Sequence, residues 1–138
     1  MQLRIHTDGG SRGNPGVAGG GVVVFHGDQE VYSNSFAFGT KTNNEAEYLA
    51  VQKALEWLVE YSQENQVKSA QFFLDSKLVV EQLSRNWKIK EPRLRELAND
   101  CWKAVVSLPY SVDFNHVKRE KNADADLLAN QAMDAAED

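Results

Sequence analysis

The stretch Leu3-Arg4-Ile5-His6-Thr7-Asp8-Gly9-Gly10-Ser11-Arg12-Gly13-Asn14-Pro15-Gly16 decides how the rest of the chain is read. Leu3, Ile5 and Thr7 alternate with Arg4, His6 and Asp8, the period-2 pattern of a strand. The pattern ends on a carboxylate. Glycines, an asparagine and a proline follow, which predicts a tight turn at once after Asp8. An acid at a strand exit, beside backbone that a ligand can approach closely, suits a metal ion or a phosphate. For Asp-Gly alone, an aspartate that opens a hydrogen-bonded turn is the commoner reading. Glu47, Asp75 and Asp126 shift the balance, because each is an isolated acid in a comparable setting.

The chain has 138 residues, so one domain spanning residues 1–138 is expected. A chain of this size buries roughly two-thirds of its unfolded surface and needs no disulfide or structural metal. The single Cys101 excludes an internal disulfide and a cysteine-based zinc site, and it falls in an amphipathic stretch that reads as core. Met1-Gln2 leads straight into the first strand, so no signal peptide is expected, and no apolar run has membrane-spanning length. These features predict a cytoplasmic, monomeric enzyme or binding domain. The net charge of −5 argues against a nonspecific nucleic-acid coat protein. The charge is unevenly placed, however. Arg85, Lys88, Lys90, Arg93 and Arg95 cluster against Glu91, while acids gather at Glu56, Glu60, Glu64 and in the tail.

Val17 to Phe25 reads as a central strand whose Gly19-Gly20-Gly21 permits a bulge or close packing. Glu30 to Phe38 alternates again and completes an antiparallel meander. Thr42 or Asn43 caps a helix predicted to run to about Tyr61, with Glu45 at its positive end. Ala70 to Asp75 is an apolar strand that again ends on an aspartate, and Ser76 to Leu83 is a short helix. Leu94, Leu97, Ala98, Cys101, Val105 and Leu108 form the stripe of the next helix. Ser111 to Val117 is a fifth strand, and Asn122 caps a last helix carrying Leu127, Leu128, Ala129, Ala132 and Met133. The order βββαβααβα predicts an α/β fold. Its mixed five-stranded sheet has an antiparallel first three strands, parallel fourth and fifth strands, and helices on both faces.

Asp8 and Asp75 close two strands, and open α/β sheets bind ligands at the carboxyl ends of their strands. Glu47 shares a helical stripe with Val51, Ala54 and Leu58, so it points with the apolar face. A buried carboxylate is costly unless paired or bound to a cation. A Glu at the rim of that face, or one satisfied by a buried arginine, competes with the metal reading. Asp126 lies in the first turns of the last helix. Clustered carboxylates raise one another's pKa and call for cations, and oxygen-only donors favour Mg²⁺ or Mn²⁺ over zinc. Two such ions would suit phosphodiester cleavage.

Four blocks resemble the signature of type 1 ribonuclease H. They are Thr7 to Gly16, Thr42-Asn43-Asn44-Glu45-Ala46-Glu47, Leu74-Asp75-Ser76, and His116 to Asp126. They occur in the family's order and span the chain. The resemblance, to the form without the basic handle insertion, implies a ribonuclease H-like fold. It also implies endonucleolytic hydrolysis of the RNA strand of an RNA/DNA hybrid, leaving 5′-phosphate and 3′-hydroxyl ends. It makes Asp8, Glu47, Asp75 and Asp126 the carboxylates that bind Mg²⁺, or Mn²⁺ as a substitute, with Asp124 as a minor alternative to Asp126. His116 matches the family's mobile histidine, which assists proton transfer or product release. Asn14, Asn43 and Asn44 match positions that contact the hybrid, and Thr42 matches a contact to a DNA phosphate. Turn-forming and capping roles compete for all four and are compatible with contact.

The sequence departs from the family in two places. Lys77 stands where many relatives have glutamine, which puts that minor-groove contact in doubt. The connector from Arg85 to Arg95 is too short for the basic handle. Trp87, Lys88, Lys90, Arg93 and Arg95 either supply phosphate contacts from a plain loop or form a solvated loop with Trp87 packed inward. Other functions compete: a catalytically silent nucleic-acid-binding module, or another metal nuclease of the superfamily. The Asn-Pro-Gly and Thr-Asn-Asn blocks favour the hybrid nuclease. The glycine turn lacks the Gly-Lys-Ser/Thr ending of a P-loop.

Overall fold

The computed structural model of the protein describes residues 1–137. Its strands are β1 (Gln2–Gly13), β2 (Gly16–His26), β3 (Gln29–Lys41), β4 (Ser69–Leu74) and β5 (Ser111–His116). Its helices are α1 (Asn43–Glu64), α2 (Lys77–Leu83), α3 (Pro92–Ser107) and α4 (Ala123–Glu137), the last preceded by a 3₁₀ turn at Arg119–Lys121. The sheet has five strands in the order β3-β2-β1-β4-β5. β1 pairs antiparallel with β2 and parallel with β4, β2 pairs antiparallel with β3, and β4 pairs parallel with β5. The mixed sheet expected from the element order is therefore present. Among the described residues no helix is long and apolar enough to cross a membrane.

The sequence reading fails at the glycine run. β1 does not turn after Asp8 but continues to Gly13, and the turn falls at Asn14-Pro15. Gly9 and Gly10 stay in the ladder opposite Gly20 and Gly19. The glycines serve close approach instead of chain reversal. A Cβ on Gly9 would collide with the backbone of Ala46 in α1, and one on Gly21 would collide with the backbone carbonyl of Ala125 in α4. These two contacts place α1 and α4 on opposite faces of the same strands. The β2–β3 register also slips between Ala18 and Gly19, the bulge that the glycines allow.

α1 runs one turn further than expected, to Glu64 rather than about Tyr61. Thr42 and Glu45 form a capping box at its start, each side chain bonded to the other's backbone N–H. The inward stripe of α1 joins Ile5, Val22, Val24, Phe72 and Leu74 from the sheet, and α3 closes this core with Leu94, Leu97 and the fully buried Cys101. Leu127, expected in the apolar stripe of α4, is instead exposed. The helix packs through Ala125, Ala129, Ala132 and Met133, and the small alanines let its backbone reach the β2 glycines.

Candidate active site

β4 accompanies β1 only as far as His6, which lies opposite Phe73. Beyond that pair β1 runs on alone on its β4 side, and Asp8 stands just past the end of its shorter neighbour. Asp75 is the first residue after β4. Parallel pairing thus brings both aspartates to the end of β4, although Asp8 lies inside β1 and not at its end as the sequence predicts. Glu47 arrives from the first turns of α1, on the buried stripe with Val51, Ala54 and Leu58. One carboxylate oxygen from each of Asp8, Glu47 and Asp75 lies within 4.8 Å of the other two.

Both Asp8 and Glu47 are almost fully buried. No arginine satisfies Glu47. Its Oε1 accepts the Gly9 backbone N–H at 2.8 Å, and its Oε2 is buried without a partner. Burial pushes the Asp8 carboxyl well above the usual carboxylate range, and the Glu47 charge adds to the shift. Burial also raises Glu47, against the opposing pull of the neighbouring Asp8 carboxyl and the Gly9 N–H. Three carboxyls held this closely resist shared ionisation unless positive charge enters. The orphaned Glu47 Oε2 and the all-oxygen donor set fit a hard divalent cation.

Asp126 does not belong to this tight trio. It lines the same groove, a cavity of about 520 Å³, from the first turns of α4. Its Oδ1 accepts from Arg119 Nη2 at 3.5 Å and from Asn130 Nδ2 at 3.4 Å. Asp124 is exposed and lines a different hollow, beside His6 and Phe73. His116, exposed at the end of β5, lines the groove wall with Lys118 and Arg119. The last block of the sequence therefore brings Asp126 and His116, and not Asp124, to the groove.

The four expected substrate contacts cluster at the start of α1. The backbone N–H of Asn43 donates to Asn14 Oδ1 at 3.1 Å, and Asn43 Oδ1 accepts from Ser11 N–H at 3.2 Å. Asn43 lines the groove, Thr42 caps the helix, Asn14 is exposed and Asn44 is half-buried. Lys77, Trp87 and Lys88 are exposed and stand outside the groove lining. Trp87 is 45% exposed, so it is not packed inward. Ile89 is the buried anchor of that loop. Several of the loop's cations already have internal partners. Arg85 lies 3.9 Å over the Trp102 ring, Arg93 pairs with Glu45 and Glu96, and Arg95 donates to the Ile89 carbonyl.

Sequence reasoning missed residues that the fold supplies. Ser11, Lys118, Arg119 and Asn130 line the groove. Asn130 sits one helical turn after Asp126, a spacing that could have marked it. Arg12, without a role in the sequence, ties the end of β1 to α4 through Asp134 and Glu137. The sequence predicts that Asn122 caps α4. Its backbone carbonyl does open the helix, accepting from Asp126 N–H at 3.1 Å, but its side chain turns to β1. There Asn122 meets His6, which burial holds below the ordinary histidine pKa.

A family model described as reverse transcriptase-like matches residues 6–132. The chain is 36% identical over 146 residues to the ribonuclease H of Ruthia magnifica subsp. Calyptogena magnifica, with 96% of each chain covered. It is 42% identical to a bifunctional protein of Mycobacterium tuberculosis, over 99% of this chain and 36% of that protein. The chain thus spans about a third of the length of its mycobacterial relatives. Among solved structures, LC11-RNase H1 from compost, in complex with RNA/DNA hybrid, superimposes with a TM-score of 0.94 at 38% identity, covering 99% of each chain.

Proposed function

The chain belongs to the type 1 ribonuclease H family, and we propose on that footing that it is an endonuclease that hydrolyses the RNA strand of RNA/DNA hybrids. The observation that carries the proposal is the convergence of Asp8, Glu47 and Asp75 at one end of the sheet, with Asp126 and His116 on the walls of the same groove. A fold that merely carried the family's shape would not need three buried or half-buried acids within 4.8 Å of one another. The structure of LC11-RNase H1 in complex with an RNA/DNA hybrid supports the substrate class.

In this reading Asp8, Glu47 and Asp75 hold the divalent cation charge, and Asp126 completes the set from α4. Bound divalent cations supply positive charge beside the scissile phosphate and make water a stronger acid. We take two ions to be used when substrate is bound, Mg²⁺ first and Mn²⁺ as a substitute. The chain's own groups do the positioning. Gly9 N–H fixes one oxygen of Glu47 and leaves the other without a partner. His116 is exposed on the groove wall, where it assists proton transfer or product release. Asn14, Asn43 and Asn44 present amides, able both to donate and to accept, to 2′-hydroxyls and base edges, and Thr42 faces a DNA phosphate. The exposed Trp87 and Lys88 extend the contact surface along the duplex backbone, and Lys77 adds a cation at the start of α2. The products carry 5′-phosphate and 3′-hydroxyl ends, and the enzyme acts as a cytoplasmic monomer.

The test uses end-labelled RNA/DNA hybrid, RNA duplex, DNA duplex and single strands, each with Mg²⁺ or Mn²⁺ and with Asp75→Asn as control. Internal RNA cuts confined to the hybrid, dependent on metal and absent in the control, are expected. Salt-sensitive hybrid binding without cutting would replace the enzyme with a binding module on the same fold.

A further inference from the structure

Asp8 and Asp126 reach the groove from opposite ends of the chain, so something must hold the start of α4 against β1. The side chain of Asn122 does this. It is 1% exposed, and its Nδ2 donates to the Thr7 carbonyl at 2.8 Å. Thr7 precedes Asp8 and lies one residue past the last β1–β4 pair, His6 opposite Phe73. The amide therefore takes up the first β1 carbonyl beyond the last β1–β4 pair. The backbone carbonyl of Asn122 accepts the N–H of Asp126 at 3.1 Å. One residue thus links the peptide beside Asp8 to the peptide of Asp126.

An amide has two orientations, and only one of them holds this link. With Nδ2 toward the Thr7 carbonyl, Oδ1 faces His6 Nδ1 at 3.0 Å, so that nitrogen carries the proton and donates. Reversal would set two oxygens against each other at Thr7, whose carbonyl can only accept, and would cost His6 its Nδ1 donor role. The imidazole is itself fixed. It stacks on Phe73 with centroids 5.1 Å apart at 22°, and Phe25 meets it edge-on at 6.0 Å. His6 is on the sheet, two residues from Asp8, yet it does not line the groove.

We propose that His6 is a positioning residue of the candidate site. Its Nδ1–H orients the Asn122 amide, the amide ties α4 to β1, and this tie sets Asp126 against Asp8. The proposal rests on the reading of these carboxylates as a divalent-cation site. Outer groups that orient ligands are commonly worth about 10- to 100-fold in metal affinity or activity. His6 acts one residue further out, so a smaller effect is expected, about three- to tenfold.

The experiment compares the wild type with His6→Phe and His6→Asn. Phenylalanine keeps a ring to stack on Phe73 and loses the donor. Asparagine keeps a donor near the Nδ1 position. Mg²⁺ and Mn²⁺ affinity is read by calorimetry without substrate, so the result stands even if hybrid cleavage fails. Activity is read as kcat, KM and the Mg²⁺ midpoint, and thermal melts check the fold. His6→Phe should weaken cation binding about three- to tenfold, raise the Mg²⁺ midpoint alike and lower kcat, with KM for the hybrid unchanged. His6→Asn should recover most of the loss. Asn122→Ala should be worse than either, and adding His6→Phe to it should cost nothing further. If His6→Phe unfolds, His6→Leu makes the same comparison. Wild-type cation affinity in the donor-less variant would overturn the proposal. Equal impairment of His6→Phe and His6→Asn would overturn it too, since the ring would then matter and the donor would not.

Discussion

Glu47 Oε1 accepts the backbone N–H of Gly9 at 2.8 Å while its Oε2 lies buried without a partner. One side chain is thus both a structural acceptor for β1 and an unsatisfied charge beside Asp8. The two roles separate by substitution. Glu47→Gln keeps an oxygen for Gly9 N–H and removes the charge, so the protein should fold with near-wild-type stability and lose cleavage. Glu47→Ala also leaves a buried N–H unpaired and should cost about 1–3 kcal/mol more in urea unfolding. Cleavage by the glutamine variant at near-normal rate would remove Glu47 from the chemistry.

Asp8 gives a pH signature. Its carboxyl is raised in the folded protein, chiefly by burial and then by Glu47. Above the unfolded carboxylate pKa, about 4, the folded chain therefore holds a proton that the unfolded chain has lost. By linkage, metal-free stability must fall as pH rises from there. Asp8→Asn should then stabilise the metal-free protein by about 1–3 kcal/mol at pH 8 and far less at pH 4, the scale of removing a poorly compensated buried charge. Mg²⁺ should raise the melting temperature of the wild type more at pH 8 than at pH 5, and should do little for the variant. Thermal melts with chelator and with Mg²⁺ read both effects, and a flat wild-type profile would contradict the burial argument.

His116 stands exposed on the groove wall and apart from the carboxylate trio. His116→Ala should slow cleavage by about 10²-fold or more without abolishing it, the scale of one positioned acid or base. Cation affinity should be unchanged. Complete loss of cleavage in a folded variant with normal metal binding would make the histidine indispensable to the chemistry.

Thr42 holds the α1 start that presents Asn43 and Glu47. Thr42→Ala removes the cap and should cost about 1 kcal/mol of stability. KM for the hybrid should rise more than kcat falls, because the disturbed residues include the proposed substrate contacts. Thr42→Ser, which restores the hydroxyl, should recover both.

Much of this was legible in the chain itself. Period-2 alternation in Leu3 to Asp8 and the stripe of Glu47 with Val51, Ala54 and Leu58 are local geometry; the first marked a strand and the second put Glu47 on the buried face of its helix. Asp75 follows an apolar strand, and the structure sets it beside Asp8 by pairing β1 with β4 in parallel. The order of motifs fixed the family. What failed was also local. Gly9-Gly10 looks like a turn to any rule that reads glycine as chain reversal, and nothing nearby reveals that Ala46 needs the space.

By itself the sequence determined the element types and the mixed sheet, because periodicity and helical spacing are properties of neighbouring residues. Only the tertiary structure decided the rest. It bent no strand at Asp8, turned Trp87 outward, left Asp126 on Arg119 and Asn130 outside the tight trio, and set His6 against Asn122. His6 and Asn122 are 116 residues apart, and Arg12 finds its acids in the last helix. Hydrogen bonds and close packing between such distant segments depend on how sheet and helices meet. No local pattern encodes that meeting.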